Sequence, residues 1–395
     1  MLQLPDATLR KTLGEFQKHF DKPALACGIA PGRVEILGNH TDYNGGAVLT
    51  AAIDRYVVAA GRPLDEPRVR VRSVHHRETT SFSLDRLTPE PDAGWLAYVK
   101  SVFAVLRQAG VKIGGMELAI ASNLPLGAGL SSSAALEAAI AMLVLELARR
   151  PIDRLELAKG LQRGEHEFAG VHCGLLDQFS VLFGRAGRVL RLDCATCDHE
   201  VLALGPDAPA LVVCDSRMSR ALGRDAPYNL RRSECKQAAE RLRSLLNRPI
   251  SHLCEVTLAE LRDLETNLRE PLFSRAVHVV SEHERVLAAS AHLRAGDSHG
   301  LAKLLNASHE SSRRWFENST PALDRLCEIA SGQPGFLGAR LSGAGWGGAV
   351  LALVEPELTD EFVAGMTRDA RPTAEFPAPE IIVCHAADGA AGRLL

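Results

Sequence analysis

The chain has 395 residues, 46 % of them hydrophobic and 24 % charged, with a formal net charge of −3 at pH 7. These values describe a globular protein with ample core and a length that favours two domains; without a basic block, nucleic acid is not indicated. The start lacks a basic-then-apolar signal pattern and no apolar run is long enough to span a membrane, while nine scattered cysteines suit a reducing compartment, so a cytoplasmic location is expected.

In chain order, residues 9–20 follow the pattern of an amphipathic helix. Val34, Ile36 and Val48 have strand character. Between and beside them lie Arg33, Glu35, Asn39, His40 and Asp42, a dense set of hydrogen-bonding groups that suits either turn chemistry or a loop for a polyhydroxylated ligand. Residues 57–74 read as strands and 95–106 as a helix. Residues 116–121 alternate as a half-buried strand does, and 136–147 form an apolar run rich in Ala, Leu and Met, as in a buried helix. Joining them is Pro125-Leu126-Gly127-Ala128-Gly129-Leu130-Ser131-Ser132-Ser133. The glycines permit close approach, and the serines fall where the first helical N–H groups have no partner, so the stretch predicts a phosphate cradle. Its plainer alternative is a glycine turn with a serine N-cap. No Gly-Lys-Ser/Thr follows, so the P-loop pattern is excluded.

Residues 155–168 predict a helix in which Glu165 shares a face with Leu161 and Phe168. A carboxylate turned inward needs a partner, either a salt bridge or a metal. Asp177, just after Gly174, also sits among apolar neighbours, and residues 188–194 alternate as a strand. Cys194 and Cys197 form a lone CxxC without a second pair or a redox-domain context, and the group His166, His172 and Cys173 fits no standard zinc spacing. A second region begins near residue 205 with a strand at 211–214, an arginine-rich polar stretch at 215–232 and helical patterns from 229 to about 332. Four glycines and Trp346 in residues 341–348 then precede the apolar strand 349–354.

These stretches together resemble the GHMP kinase superfamily and, within it, the galactokinases. Residues 125–133 look like that superfamily's Pro-X-X-X-Gly-Leu-Ser-Ser-Ser motif, and 30–49 like the galactokinase signature. Residues 165–170 leading into 173–178, then 228–232, 341–348 and 387–389, match in order. The resemblance implies an α+β, two-domain fold, with residues 1–204 and 205–395 as the domains, the active site in the cleft and the last strand returning to the first domain. It implies phosphorylation of the anomeric hydroxyl of a hexose by ATP with Mg²⁺. Asp177 would be the catalytic base and Arg33 the cation beside the transferring phosphoryl group. Ser133 and Glu165 would hold the metal. Pro125, Gly127, Ala128, Gly129, Leu130, Ser131, Ser132 and Ser133 would hold the triphosphate, with Trp95 bordering adenine. Glu35, Asn39, His40, Thr41, Asp42, Gly174 and Tyr228 would line the sugar. Small-molecule sugar and ATP are the implied partners, without nucleic acid or membrane; the number of subunits stays open, a monomer included.

One departure bears on the substrate. Galactokinases usually carry Asn where this chain has Glu35 and Glu where it has Asn39, and that Glu contacts the C-6 hydroxyl of galactose. Galactose is the expected substrate, with a polar pair preserved. The alternative is a galacturonate 1-kinase, relieved of repulsion at C-6 and aided by Arg220 and Arg224. A non-catalytic sugar and ATP sensor is a further class, opposed by the intact serine run and by Asp177 and Arg33.

Overall fold

In the computed structural model, residues 6–90, 93–125, 127–205, 208–218 and 227–395 are described. The strands are β1 (Ala26–Leu37), β2 (Ala47–Leu64), β3 (Arg68–Ser73), β4 (Glu78–Ser83), β5 (Gly115–Ser122), β6 (Arg188–Asp193), β7 (His199–Ala203), β8 (Ala210–Asp215), β9 (Phe336–Ser342), β10 (Ala349–Val354), β11 (Glu380–Cys384) and β12 (Ala391–Leu394). The helices are α1 (Asp6–His19), α2 (Trp95–Gln108), α3 (Ser132–Ala148), α4 (Arg154–Gly164), α5 (Leu176–Phe183), α6 (Pro227–Leu246), α7 (Leu258–Asp263), α8 (Leu272–Ala295), α9 (Ser298–Ser311), α10 (Pro321–Ser331) and α11 (Thr359–Asp369).

An eight-stranded sheet runs in the order β12-β1-β2-β5-β3-β4, with β6 and β7 branching from the first half of β2. Only β3 and β5 are parallel there. A second, wholly antiparallel sheet has the order β11-β8-β10-β9. This is the α+β architecture expected from the sequence.

Every residue of β1 is buried, because the strand is covered on both faces. Ala26, Ala30 and Val34 join the core under α3, whereas Cys27 and Ile29 face Leu9 and Leu13 of α1. The small side chains of α3 (Ala134, Ala135, Ala138, Ala139 and Ala141) are all buried there. The main core continues into the second sheet through Leu211, Val213, Leu351 and Leu353, while the alternate positions Val212, Cys214, Val350 and Ala352 pack with α10 and α11. Period-two alternation thus ties both sheets into one body. The expected helix at 155–168 is α4 followed by a single π-turn over Glu165–Ala169, a local widening that often marks functional sites.

Candidate active site

Three chain segments meet around one cavity of about 430 Å³: the middle of β1 with the loop after it, the β5–α3 connection, and the run from the π-turn into α5. Arg33, buried on β1, joins two of them. Its Nε and Nη2 both donate to Asp177 Oδ1, at 2.9 and 2.5 Å, and its Nη1 donates to the carbonyl of Gly129 at 2.5 Å. Its backbone N–H adds a bond to Leu130 O at 3.1 Å. One guanidinium therefore fixes the distance between the Asp177 carboxylate and the β5–α3 loop. Both bonds to Asp177 use Oδ1, which leaves Oδ2 for the cavity that Asp177 lines.

The β5–α3 loop, read from the sequence as a phosphate cradle, does not carry a serine N-cap. Ser131 precedes α3 in a left-handed conformation, φ 58°, and its side chain makes no capping bond. Its hydroxyl is buried without a hydrogen-bond partner among the described residues. Gly127 and Gly129, at φ 80° and 78°, supply the two turns that bring the loop back over the helix. Uncapped amides, a helix dipole and an orphaned hydroxyl beside the cavity form a built-in receptor for an anion. Gly127, Gly129, Leu130, Ser131, Ser132 and Ser133 line the cavity; Pro125 and Ala128 do not. Ala128 is fully buried, packed in the core. Leu126, Arg220 and Arg224 lie outside the described residues.

Ser133 and Glu165 line the same cavity, and both offer hard oxygens. Glu165 receives a bond from Gln178 Nε2 at 2.7 Å. Burial and the charge of Asp177 raise its pKa, and no cation is among the groups that shift it. Behind it, on the same face of α3 as Ser133 and one turn on, Glu137 is fully buried. Ser101 Oγ donates to it at 3.2 Å, and its other oxygen has no hydrogen-bond partner among the described residues. Unneutralised acid beside a hydroxyl is a donor set that fits a divalent cation. Among the described residues no group of three or more His, Cys, Asp or Glu could hold a metal, so such an ion would need further oxygens from outside the protein. Sequence reasoning passed over Glu137 and Gln178; the signal available was a charged residue inside an otherwise apolar helix.

The loop after β1 divides its labour. Asp42 lines the cavity, where burial, then Glu35 and Asp177, push its carboxyl up to about 7. Glu35 is buried, accepts from Arg340 Nη1 and Nη2 at 3.2 and 3.3 Å and from Asn39 Nδ2 at 3.3 Å, all through Oε1, and also lines the cavity. Arg340, fully buried on β9, was not singled out from the sequence. Asn39 and His40 also line the cavity, but the polar atoms of Asn39 are engaged by the protein: Nδ2 also donates to Gly343 O at 2.8 Å, and Oδ1 accepts from Asn318 Nδ2 at 2.7 Å. The same holds for His40. Its Nε2 meets the Ala344 carbonyl at 2.9 Å and must carry the proton, so Nδ1 accepts from the Tyr43 hydroxyl at 2.7 Å. Burial pushes its pKa down to about 3, leaving the ring neutral. The ring sits among Tyr43, Tyr228, Phe316 and Trp346. Thr41 does not line the cavity. It staples the loop instead, with its hydroxyl against Gly38 O and Ala47 O at 2.8 and 2.7 Å. Gly174 and Tyr228 complete this end of the cavity. At the far end Trp95 stacks on His76, with rings 5.2 Å apart and 9° from parallel.

Comparison with known proteins gives a consistent family. Residues 14–63 match the galactokinase galactose-binding signature, 97–185 the GHMP kinases N terminal domain and 288–369 the GHMP kinases C terminal family. The chain is 40 % identical to a galactokinase of Roseiflexus sp. (strain RS-1), covering 96 % of each chain. It is 39 % identical to a galactokinase of Chloroflexus aggregans over 89 % of each. Among solved structures it is similar to Lactococcus lactis galactokinase complexed with galactose, with a TM-score of 0.90 and 32 % identity over 97 % of this chain and 99 % of that one.

Proposed function

The chain belongs to the galactokinases of the GHMP kinase superfamily, and on that premise we propose that it moves the γ-phosphoryl group of ATP onto the C-1 hydroxyl of galactose, giving galactose 1-phosphate and ADP. The observation that carries this is the Arg33 bridge, which ties Asp177 to the phosphate loop through bonds of 2.5–2.9 Å on one cavity wall. In that geometry Asp177 Oδ2 accepts the proton of the sugar hydroxyl as its oxygen attacks phosphorus. Arg33 and the amides opening α3 stabilise the charge on the phosphoryl oxygens. Ser133 and Glu165 would hold Mg²⁺, completed by phosphate oxygens and water. When bound, the ion supplies charge neutralisation on the triphosphate. Trp95 and His76 would border the adenine. The same reading divides the chain near residue 205, after β7, with β12 returned to the first sheet.

Galactose is favoured over galacturonate by what surrounds Asn39. The carboxylate absent at 39 is supplied by Glu35, which faces the cavity with Asp42, so a uronate would meet two acids. Arg33, the one arginine or lysine among the described residues lining the cavity, is already paired with Asp177, and Arg340 is paired with Glu35. The test is ADP release with galactose or galacturonate, with the phosphorylated carbon located by NMR of the product. Turnover on galactose at C-1 is expected, reduced about 10²–10⁴-fold in Asp177→Asn with sugar binding retained. Full activity in that variant would remove the assigned base, and galacturonate turned over as well as galactose would overturn the substrate.

A further inference from the structure

Beneath the loop that carries Asn39, His40 and Asp42 lies a row of polar side chains. It follows one face of α8: His278, Glu282 and Arg285, spaced four and three residues apart. His278 and Glu282 are both fully buried, an uncommon setting for a carboxylate. Glu282 Oε1 accepts from the backbone N–H of Gly38 at 2.9 Å and of Asn39 at 3.1 Å, and from Ser308 Oγ at 2.7 Å. Oε2 accepts from Arg285 Nε at 2.6 Å. His278 Nε2 donates to the Asn39 carbonyl at 3.2 Å, and Nδ1 pairs with Ser311 Oγ at 2.9 Å. Three consecutive peptide units, from residue 37 to residue 40, are thus held from one helix. Two residues in this short span are left-handed, Gly38 at φ 107° and His40 at φ 60°, so no strand partner could serve the same groups. Burial works against the charge on Glu282, but Arg285 and Arg340 outweigh it, and its carboxyl lies below the usual range. An ionised acceptor makes the loop's amide bonds of the stronger, charge-assisted kind.

The structure assigns Glu282 and His278 a positioning role for galactose: without touching the sugar, they lock the backbone from residue 37 to residue 40 and so aim Asp42 and the braced side chains of Asn39 and His40. The inference rests on the galactokinase reading above. It is selective, because the hydrogen bonds of this row reach the loop at the galactose end of the cavity, and among the described residues none reaches residues 125–133 or Trp95.

The test uses the full chain and its Glu282→Gln and Ser308→Ala variants. Galactose binding is measured by calorimetry without nucleotide, KM separately for galactose and ATP, and amide exchange by mass spectrometry over residues 36–44. Glu282→Gln keeps the shape and removes the charge. Its galactose Kd and KM rise about tenfold, its ATP KM stays within about twofold, and exchange over 36–44 quickens. Ser308→Ala, which removes one donor to Glu282, gives a smaller rise of about two- to fourfold in the same constants. A fall in Tm with unchanged galactose constants in both variants would reduce the row to packing and overturn the assignment. If Glu282→Gln does not fold, unchanged constants in Ser308→Ala overturn it alone. A wild-type chain that neither binds nor phosphorylates galactose defeats the galactokinase reading itself, and this inference with it.

Discussion

Asp42 shows how far a single side chain can be pushed by its surroundings. Burial and the neighbouring acids hold its carboxyl up to about 7, whereas in the unfolded chain it titrates near 4. Between those values the folded protein keeps a proton that the unfolded chain has lost, so this group's contribution to stability falls as pH rises through the window. Glu35 shifts in the same direction, from burial opposed by Arg340. An Asp42→Asn variant cannot titrate there. Without ligand, the wild-type Tm should drop by a few degrees relative to Asp42→Asn between about pH 5 and 7 and then run level to pH 8. A gap independent of pH would place the proton elsewhere. At this scale the sequence was legible for Arg33, Asp177 and Asp42 through the order of the stretches that carry them, since an Asp beside glycines also suits an ordinary turn. It was not legible for Arg340, which reaches Glu35 from 305 residues away and whose immediate neighbours in its strand, Ala339 and Leu341, are apolar.

Among the elements, the unit from β5 through the glycine–serine loop to α3 was readable because alternation, glycines and an apolar helix follow one another without interruption. Strands β4 and β7 were not, since they are short and half exposed, so no period-two pattern of apolar residues marks them, and β12 followed from the family resemblance and not from its own pattern. The turn from serine run to helix was read correctly in place but not in detail: a serine cap is the commoner use of that residue, and only the left-handed Ser131 backbone shows its hydroxyl to be unengaged. The segment entering α5 makes a further demand. A Cβ on Gly174 would collide with the Asp42 carboxylate. Gly174→Ala should therefore displace that carboxylate, raising the galactose KM at least tenfold, with the ATP KM within about twofold and little change in Tm. Equal losses for both substrates would mean that the whole cleft, not this contact, had moved.

Taken as a whole, the chain closes on itself. After β11 it leaves the second sheet, bonds Ala387 N to Ala52 O, Gly389 N to Gly184 O and Ala390 N to Val181 O, and pairs β12 with the first four residues of β1. Removing residues 386–395 should expose the β1 edge and the underside of α3. The expected result is a protein that aggregates on expression, or that melts several degrees lower with activity lost, checked by size-exclusion chromatography and calorimetry. A truncated chain that stays monodisperse and fully active would show the closing strand to be dispensable. Because the partner on the outer edge of β1 is made more than 350 residues after it, a nascent chain leaving the ribosome carries its first sheet with one border open until β12 has emerged. During that interval, protection from neighbouring polysomes falls to chaperones or to delay in collapse, and translation pauses placed early in the message would lengthen the exposure.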